Sequence, residues 1–141
     1  RDLAPESLAA AERVLSGRLF RRVRHVVSEN ARVKRSCAAL RRGDLAAVGA
    51  ELRAGMASLR DDFEVSTPEL DRLCELADAE PGVFGSRLTG AGLGGWSLHL
   101  VRPDALEGVA EALAEGFAAR FGRPPPLRVV RTADGVGALA L

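Results

Sequence analysis

The sequence predicts an α+β domain: a ferredoxin-like antiparallel sheet with helices on one face and extra helices at its N-terminal end. Three observations predict it. Apolar residues recur at three- and four-residue steps through most of residues 5–79, the period of helices with one buried side. Two extended runs, about Val83 to Thr89 and Trp96 to Val101, flank a glycine-rich loop, the second alternating with period two from Trp96 to Leu100. A further helix and a third extended run, Leu127–Arg131, follow. Strand, strand, helix, strand behind a helix is most of a split β-α-β layer. Its missing first strand is either Arg1–Leu3 or a segment upstream.

Each element carries its own signals. Pro5-Glu6-Ser7-Leu8 opens a first helix, since proline loses nothing at a first helical position and glutamate suits the helix dipole there. Leu8, Val14 and Leu15 are expected to face inward, with Gly17 as the end. The next helix carries an apolar stripe through Leu19/Phe20, Val23, Val26/Val27, Ala31, Cys37 and Leu40, and arginines such as Arg21, Arg22, Arg24 and Arg32 fill much of the rest. Gly43-Asp44 closes it and caps its successor, glycine at C′ and aspartate at the N-cap. Leu45, Val48, Leu52, Met56 and Leu59 form the stripe of that third helix, which stops near Arg60–Val65.

Ser66-Thr67-Pro68-Glu69 is a helix start, either as a Ser66/Glu69 capping box or with Thr67 as cap and Pro68 at the first helical position. Leu70, Leu73, Cys74 and Ala77 form its buried stripe, and Pro81-Gly82 breaks it. After the two strands, Asp104 to Glu107 has capping-box spacing, with Leu106, Val109, Ala110, Leu113 and Phe117 directed inward. Gly122 and Pro124–Pro126 cannot be helical. Asp134-Gly135 marks a tight turn before a short edge strand at 137–141.

The 141 residues make one domain, large enough to bury a core. A net charge of +1 gives no field for binding nucleic acid or an anionic membrane. The basic helix reads as a solvated face, because the aromatic interleaving needed for stacking on single strands is absent from it. No apolar run reaches the length of a membrane span, and a cytoplasmic protein is expected. Cys37 and Cys74 lack metal-ligand spacing and read as reduced thiols at or near the core. Asp61, Asp62 and Glu64 could hold Mg²⁺ or act as acid and base; with Arg60 beside them and a helix end nearby, a structural knot of charge is the stronger reading. His25 and His99 read as structural side chains.

The loop after the first strand concentrates Gly90, Gly92, Gly94 and Gly95. Glycine accepts positive φ and leaves the backbone bare, and successive N–H groups in such a turn form a concavity that suits an anion such as phosphate. The Gly90-x-Gly92-x-x-Gly95 spacing also fits the dinucleotide fingerprint, but that fingerprint requires a helix where this chain has a strand. A Rossmann reading is therefore rejected.

Three blocks, Arg24–Val33, Ser58–Asp71 and Gly82–Gly95, resemble the C-terminal part of the galactokinases, a family of the GHMP small-molecule kinases. The resemblance covers essentially the whole chain in one register. It implies that residues 1–141 are a GHMP kinase C-terminal domain whose partner is the N-terminal half of the same kinase. In the complete enzyme that family transfers the γ-phosphoryl of ATP, with Mg²⁺, to the anomeric hydroxyl of galactose. The family's phosphate loop, sugar motif and catalytic residues lie in the other half, so the resemblance implies no catalytic or metal residue in this chain, no cofactor bound to it alone, and no activity alone.

It also implies that Thr89, Gly90, Gly92, Gly94 and Gly95 support the nucleotide phosphate site, and that Ser58, Arg60, Asp61 and Asp62 lie near the lobe interface. Exposed apolar surface could lead these residues alone to self-associate. The chain departs from the family pattern at Met56 (usually His), Phe63 (Tyr), Leu93 (Phe) and Trp96 (Cys). Met56 and Trp96 leave open a non-catalytic, sugar-sensing relative, and the basic helix leaves open an independent ferredoxin-like binding module.

Overall fold

The computed structural model describes residues 3–132. A 3₁₀ turn at Pro5–Ser7 leads into α1 (Leu8–Val14), then α2 (Gly17–Arg41) and α3 (Leu45–Ser58). A π-helical turn, Leu59–Phe63, continues directly from α3, and α4 follows at Pro68–Ala79. Strands β1 (Val83–Thr89) and β2 (Trp96–Val101) pair antiparallel, with Thr89 opposite Trp96 at the loop end and Val83 opposite Val101 at the other. A 3₁₀ turn at Pro103–Ala105 starts α5 (Leu106–Phe121). Among the described residues the sheet has two strands, so the fold is α+β and mostly helical.

The caps follow their chemistry. Asp44 accepts from the Ala47 N–H at 3.0 Å at the start of α3, and Gly43 takes φ +70° as α2 ends. Thr67, not Ser66, caps α4 by accepting from the Leu70 N–H, with Pro68 at the first helical position; Ser66 instead donates to Asp71 at 2.7 Å. Gly122 ends α5 at φ +77°.

Two clusters form the core, and α4 serves both. Met56, Leu59, Leu70, Cys74 and Leu88 close one, with Phe63 and Val65 against it. Ala77, Val109 and Leu113 close the other, between α4, α5 and the far end of the hairpin. The helix-to-sheet contact is bare backbone. A Cβ on Gly49 of α3 would lie 1.8 Å from the Phe84 carbonyl oxygen, and one on Gly85 would lie 2.2 Å from the Gly49 oxygen. Only glycine at both places lets α3 lie this close to β1.

Four sequence expectations are corrected. Leu127–Arg131 pairs with no strand among the described residues; Leu127, Val129 and Val130 stay exposed, and an extended run becomes a strand only when a partner takes its backbone groups. Val14 does not face inward but is 80% exposed, because α1 ends there and Gly17 begins α2 instead of ending the first helix. Asp104 does not cap α5; it pairs with Arg102 at 3.0 Å while Ala105 occupies the N-cap.

The fourth correction concerns α2. Phe20 and Val27 are buried together with His25 and Arg32, whereas Leu19, Val26, Cys37 and Leu40 of the expected stripe are exposed. The inner face of α2 is thus partly polar, and its most regular apolar row points away from the fold. The expected strand at Arg1–Leu3, the Asp134-Gly135 turn and the 137–141 strand lie wholly or partly outside the described residues. No helix among the described residues is long and apolar enough to cross a membrane.

Candidate functional site

The loop 90–95 closes the hairpin with a run of left-handed backbone: φ is +85° at Gly90, +80° at Gly92, +61° at Leu93, +120° at Gly94 and +94° at Gly95. Glycine meets most of this demand without strain, and Leu93 is the exception. One point pins the loop. The Leu93 N–H donates to the Val65 carbonyl at 2.6 Å, and a Cβ on Gly92 would stand 2.4 Å from that same oxygen. Around Gly90, Gly94 and Gly95 a Cβ would meet no atom within 4 Å, so those parts of the loop face open space. Thr89, at the end of β1, is exposed.

Val65 is itself held by the π-helical turn. That turn leads to Glu64, a non-glycine residue in the left-handed region (φ 58°, ψ 46°). Arg21 and Arg22 of α2 each reach the Glu64 carboxylate at 2.5 Å, and together they hold its pKa down to about 2, Arg22 contributing most. Arg22 also donates to the Asp62 carbonyl. The arginines of α2, read from sequence as a solvated face, thus fasten this turn.

Beneath it lies a buried polar relay. Ser58 Oγ sits 3.0 Å from His25 Nδ1 and donates to Asp62 Oδ2 at 3.1 Å, while Arg24 pairs with Asp62 Oδ1. Phe63 stacks on the His25 ring, with centroids 4.5 Å apart. Burial alone would raise the Asp62 pKa, but the bonds from Arg24 and Ser58 outweigh it and hold the carboxyl below its ordinary value. Burial lowers the His25 pKa. A hydroxyl between imidazole and carboxylate, with both outer groups facing inward, fixes shape; it does not present a nucleophile.

The residues predicted for the lobe interface therefore divide. Ser58 and Asp62 are buried in the relay, while Arg60 and Asp61 form an exposed neighbouring pair at 2.8 Å. Among the described residues no group of three or more His, Cys, Asp or Glu side chains could hold a metal ion. Asp61, Asp62 and Glu64 are each engaged by arginine, so the knot of charge is the arrangement found.

Of the departures from the family pattern, Met56 has a structural role. Met56 Sδ accepts from the buried Leu88 N–H at 3.3 Å, tying α3 to β1. Trp96 stands half exposed at the foot of the loop. On the hairpin, His99 lies 2.8 Å from the fully buried Ser86 hydroxyl and 2.9 Å from that of Ser97, and burial lowers its pKa. Of the cysteines, Cys74 is buried, which pushes its pKa up to about 12, and Cys37 is exposed.

Sequence reasoning missed Val65, the anchor of the loop, and the arginines that hold the segment before it. Residue type gives a backbone acceptor no signal, and Arg21 and Arg22 lie outside the three blocks of the resemblance, although those blocks do meet here through Arg24–Asp62 and Leu93–Val65.

The class these residues define is an α+β domain with a bare glycine hairpin pinned to a π-turn. Comparison with known proteins gives the family. Residues 37–119 match the family described as "GHMP kinases C terminal", and the chain belongs to that family. It is 43% identical over 137 residues to the galactokinase of Roseiflexus sp. (strain RS-1), covering 97% of this chain and 35% of that protein. It is also 43% identical over 141 residues to the galactokinase of Homo sapiens, covering 100% of this chain and 35% of that protein. A crystal structure of Lactococcus lactis galactokinase complexed with galactose superposes with a TM-score of 0.83 at 38% identity, over 87% of this chain and 32% of that one. The chain thus spans about a third of the length of the curated relatives it matches.

Proposed function

We propose that residues 1–141 are the C-terminal lobe of a galactokinase-like sugar kinase, and that the complete protein, in the cytoplasm, phosphorylates galactose with ATP and Mg²⁺. The single observation that carries this reading is the bond from Leu93 to Val65, which joins two of the three family-like blocks at the turn that the third, Arg24–Val33, holds through Arg24 and Asp62. Identity of 43% to galactokinases along nearly the whole chain supports the choice of sugar kinase over an independent binding module.

Phosphoryl transfer depends on positioning and on stabilising charge. In this reading Thr89, Gly90, Gly92, Gly94 and Gly95 support the nucleotide phosphates, with the open side around Gly90, Gly94 and Gly95 left bare for the approach of the other lobe or of a phosphate oxygen. ATP supplies the phosphoryl group and Mg²⁺ shields its charge. This chain's part is to hold the loop in place through Val65, the π-turn and α2. Arg60 and Asp61 remain the candidates for contact with the other lobe, and Ser58 and Asp62 hold their backbone from beneath.

The test is a coupled ADP-release assay with galactose and Mg-ATP. The complete protein is expected to turn over, and these residues alone are expected to leave ATP untouched. Robust phosphorylation of galactose by the 141 residues alone would overturn the reading, as would a complete protein inert toward every hexose offered.

A further inference from the structure

The face of α2 turned away from the fold carries a row at heptad spacing. Leu19, Val26, Val33 and Leu40 recur every seven residues, with Val23, Asn30 and Cys37 between them in the four-three alternation of a helix-packing seam. Leu19, Val26, Val33 and Leu40 are 54%, 46%, 55% and 55% exposed, although α2 buries His25 and Arg32 on its opposite side. A helix apolar on its outer side and partly polar on its packed side has its burial reversed, unless a second layer covers it. The row runs the length of a 25-residue helix, about 37 Å at the usual rise.

We propose that this row is the seat of the polypeptide that family members carry ahead of the matched C-terminal region, so that α2 forms part of the interface between the lobes of the complete protein. Two observations choose that occupant over a second copy of the chain. Leu3, the first described residue, already lies in the groove formed by Val23, Val26, Val27 and Asn30, so the N-terminal end of the described chain runs onto this surface. The relatives are almost three times as long as the matched stretch, which is 35% of their length and carries the C-terminal family match. The proposal rests on the C-terminal-lobe reading, but not on the identity of the sugar.

Cys37 lies in the row and reports on its cover. In the complete native protein, its maleimide labelling is compared with that of a reference thiol, Glu111→Cys on the exposed side of α5 in a Cys37→Ala background. Cys37 is expected to label at least about tenfold more slowly than the reference, because a covered thiol reacts only through local opening. Val33→Glu is expected to bring Cys37 close to the reference rate. Equal rates in the unmutated protein would overturn the proposal. So would protection that appears only at concentrations where sedimentation shows a dimer, since the occupant would then be a second copy. Slow labelling in a protein that fails to phosphorylate galactose would leave this interface standing and sink the sugar-kinase reading. Fast labelling in an active kinase would do the reverse.

Discussion

The carbonyl oxygen of Val65 is shared by two demands of the glycine loop. It accepts the Leu93 N–H at 2.6 Å, and it occupies the place where any side chain on Gly92 would begin. The loop is positioned by a residue far from it in sequence, held in turn by arginines of α2.

Gly92 and Gly90 should therefore differ as sites for alanine, though both have positive φ. Gly90→Ala carries backbone strain alone, about 1–2 kcal/mol. Gly92→Ala adds a clash with Val65 and should cost about 1–3 kcal/mol more. Urea unfolding of the two variants checks the order; in the complete protein, Gly92→Ala should also raise the KM for ATP more than that for galactose.

Gly49→Ala should be among the most damaging single changes in the domain. Its Cβ would meet main-chain atoms of Phe84, which cannot rotate aside as a side chain can. A loss of about 3 kcal/mol or more is expected, at the upper end of overpacking costs. Thermal unfolding of this variant beside Gly108→Ala, where a Cβ meets nothing within 4 Å, separates contact from helix propensity.

Asp62 has a folded pKa below its ordinary value, so its contribution is fully present above an unfolded pKa of about 4 and is lost as the pH falls through the lower folded value. Asp62→Asn should cost about 1–3 kcal/mol at pH 7, because it weakens the Arg24 and Ser58 bonds. Its stability should change less than that of the parent between pH 5 and pH 3, as followed by urea midpoints.

His25 and His99 also have lowered folded pKa values, through burial. Between the folded values and the unfolded value of about 6.5, the unfolded chain binds more protons, so stability falls as the pH is lowered through that window. The urea midpoint should drop from pH 7.5 to pH 5.5. Replacing both histidines by glutamine should flatten that drop, and an undiminished slope in the double variant would place its origin elsewhere.

The two strands and the loop between them were legible because alternation and glycine spacing are local signals, and both strands end at the predicted residues. Gly43, Asp44 and Pro68 marked helix ends for the same reason. The orientation of α2 was not legible. Periodicity finds apolar rows but does not know which face meets the fold, and here hydrogen bonding lets His25 and Arg32 turn inward. Val65 gave no sign of its role, since a backbone carbonyl reached from a distant loop has no signature in residue type. The run Leu127–Arg131 had strand composition without an available partner among the described residues.

A π-turn contains one residue more per turn than the α-helix it extends. Deleting a single residue between Leu59 and Phe63 would let the helix run on regularly, and everything after it would swing by about 100° around the helix axis. Glu64 would leave its two arginines and Val65 would turn from the hairpin, with no core side chain removed. The placement of the bare loop thus hangs on one supernumerary residue, so the length of this short segment is constrained as tightly as its composition.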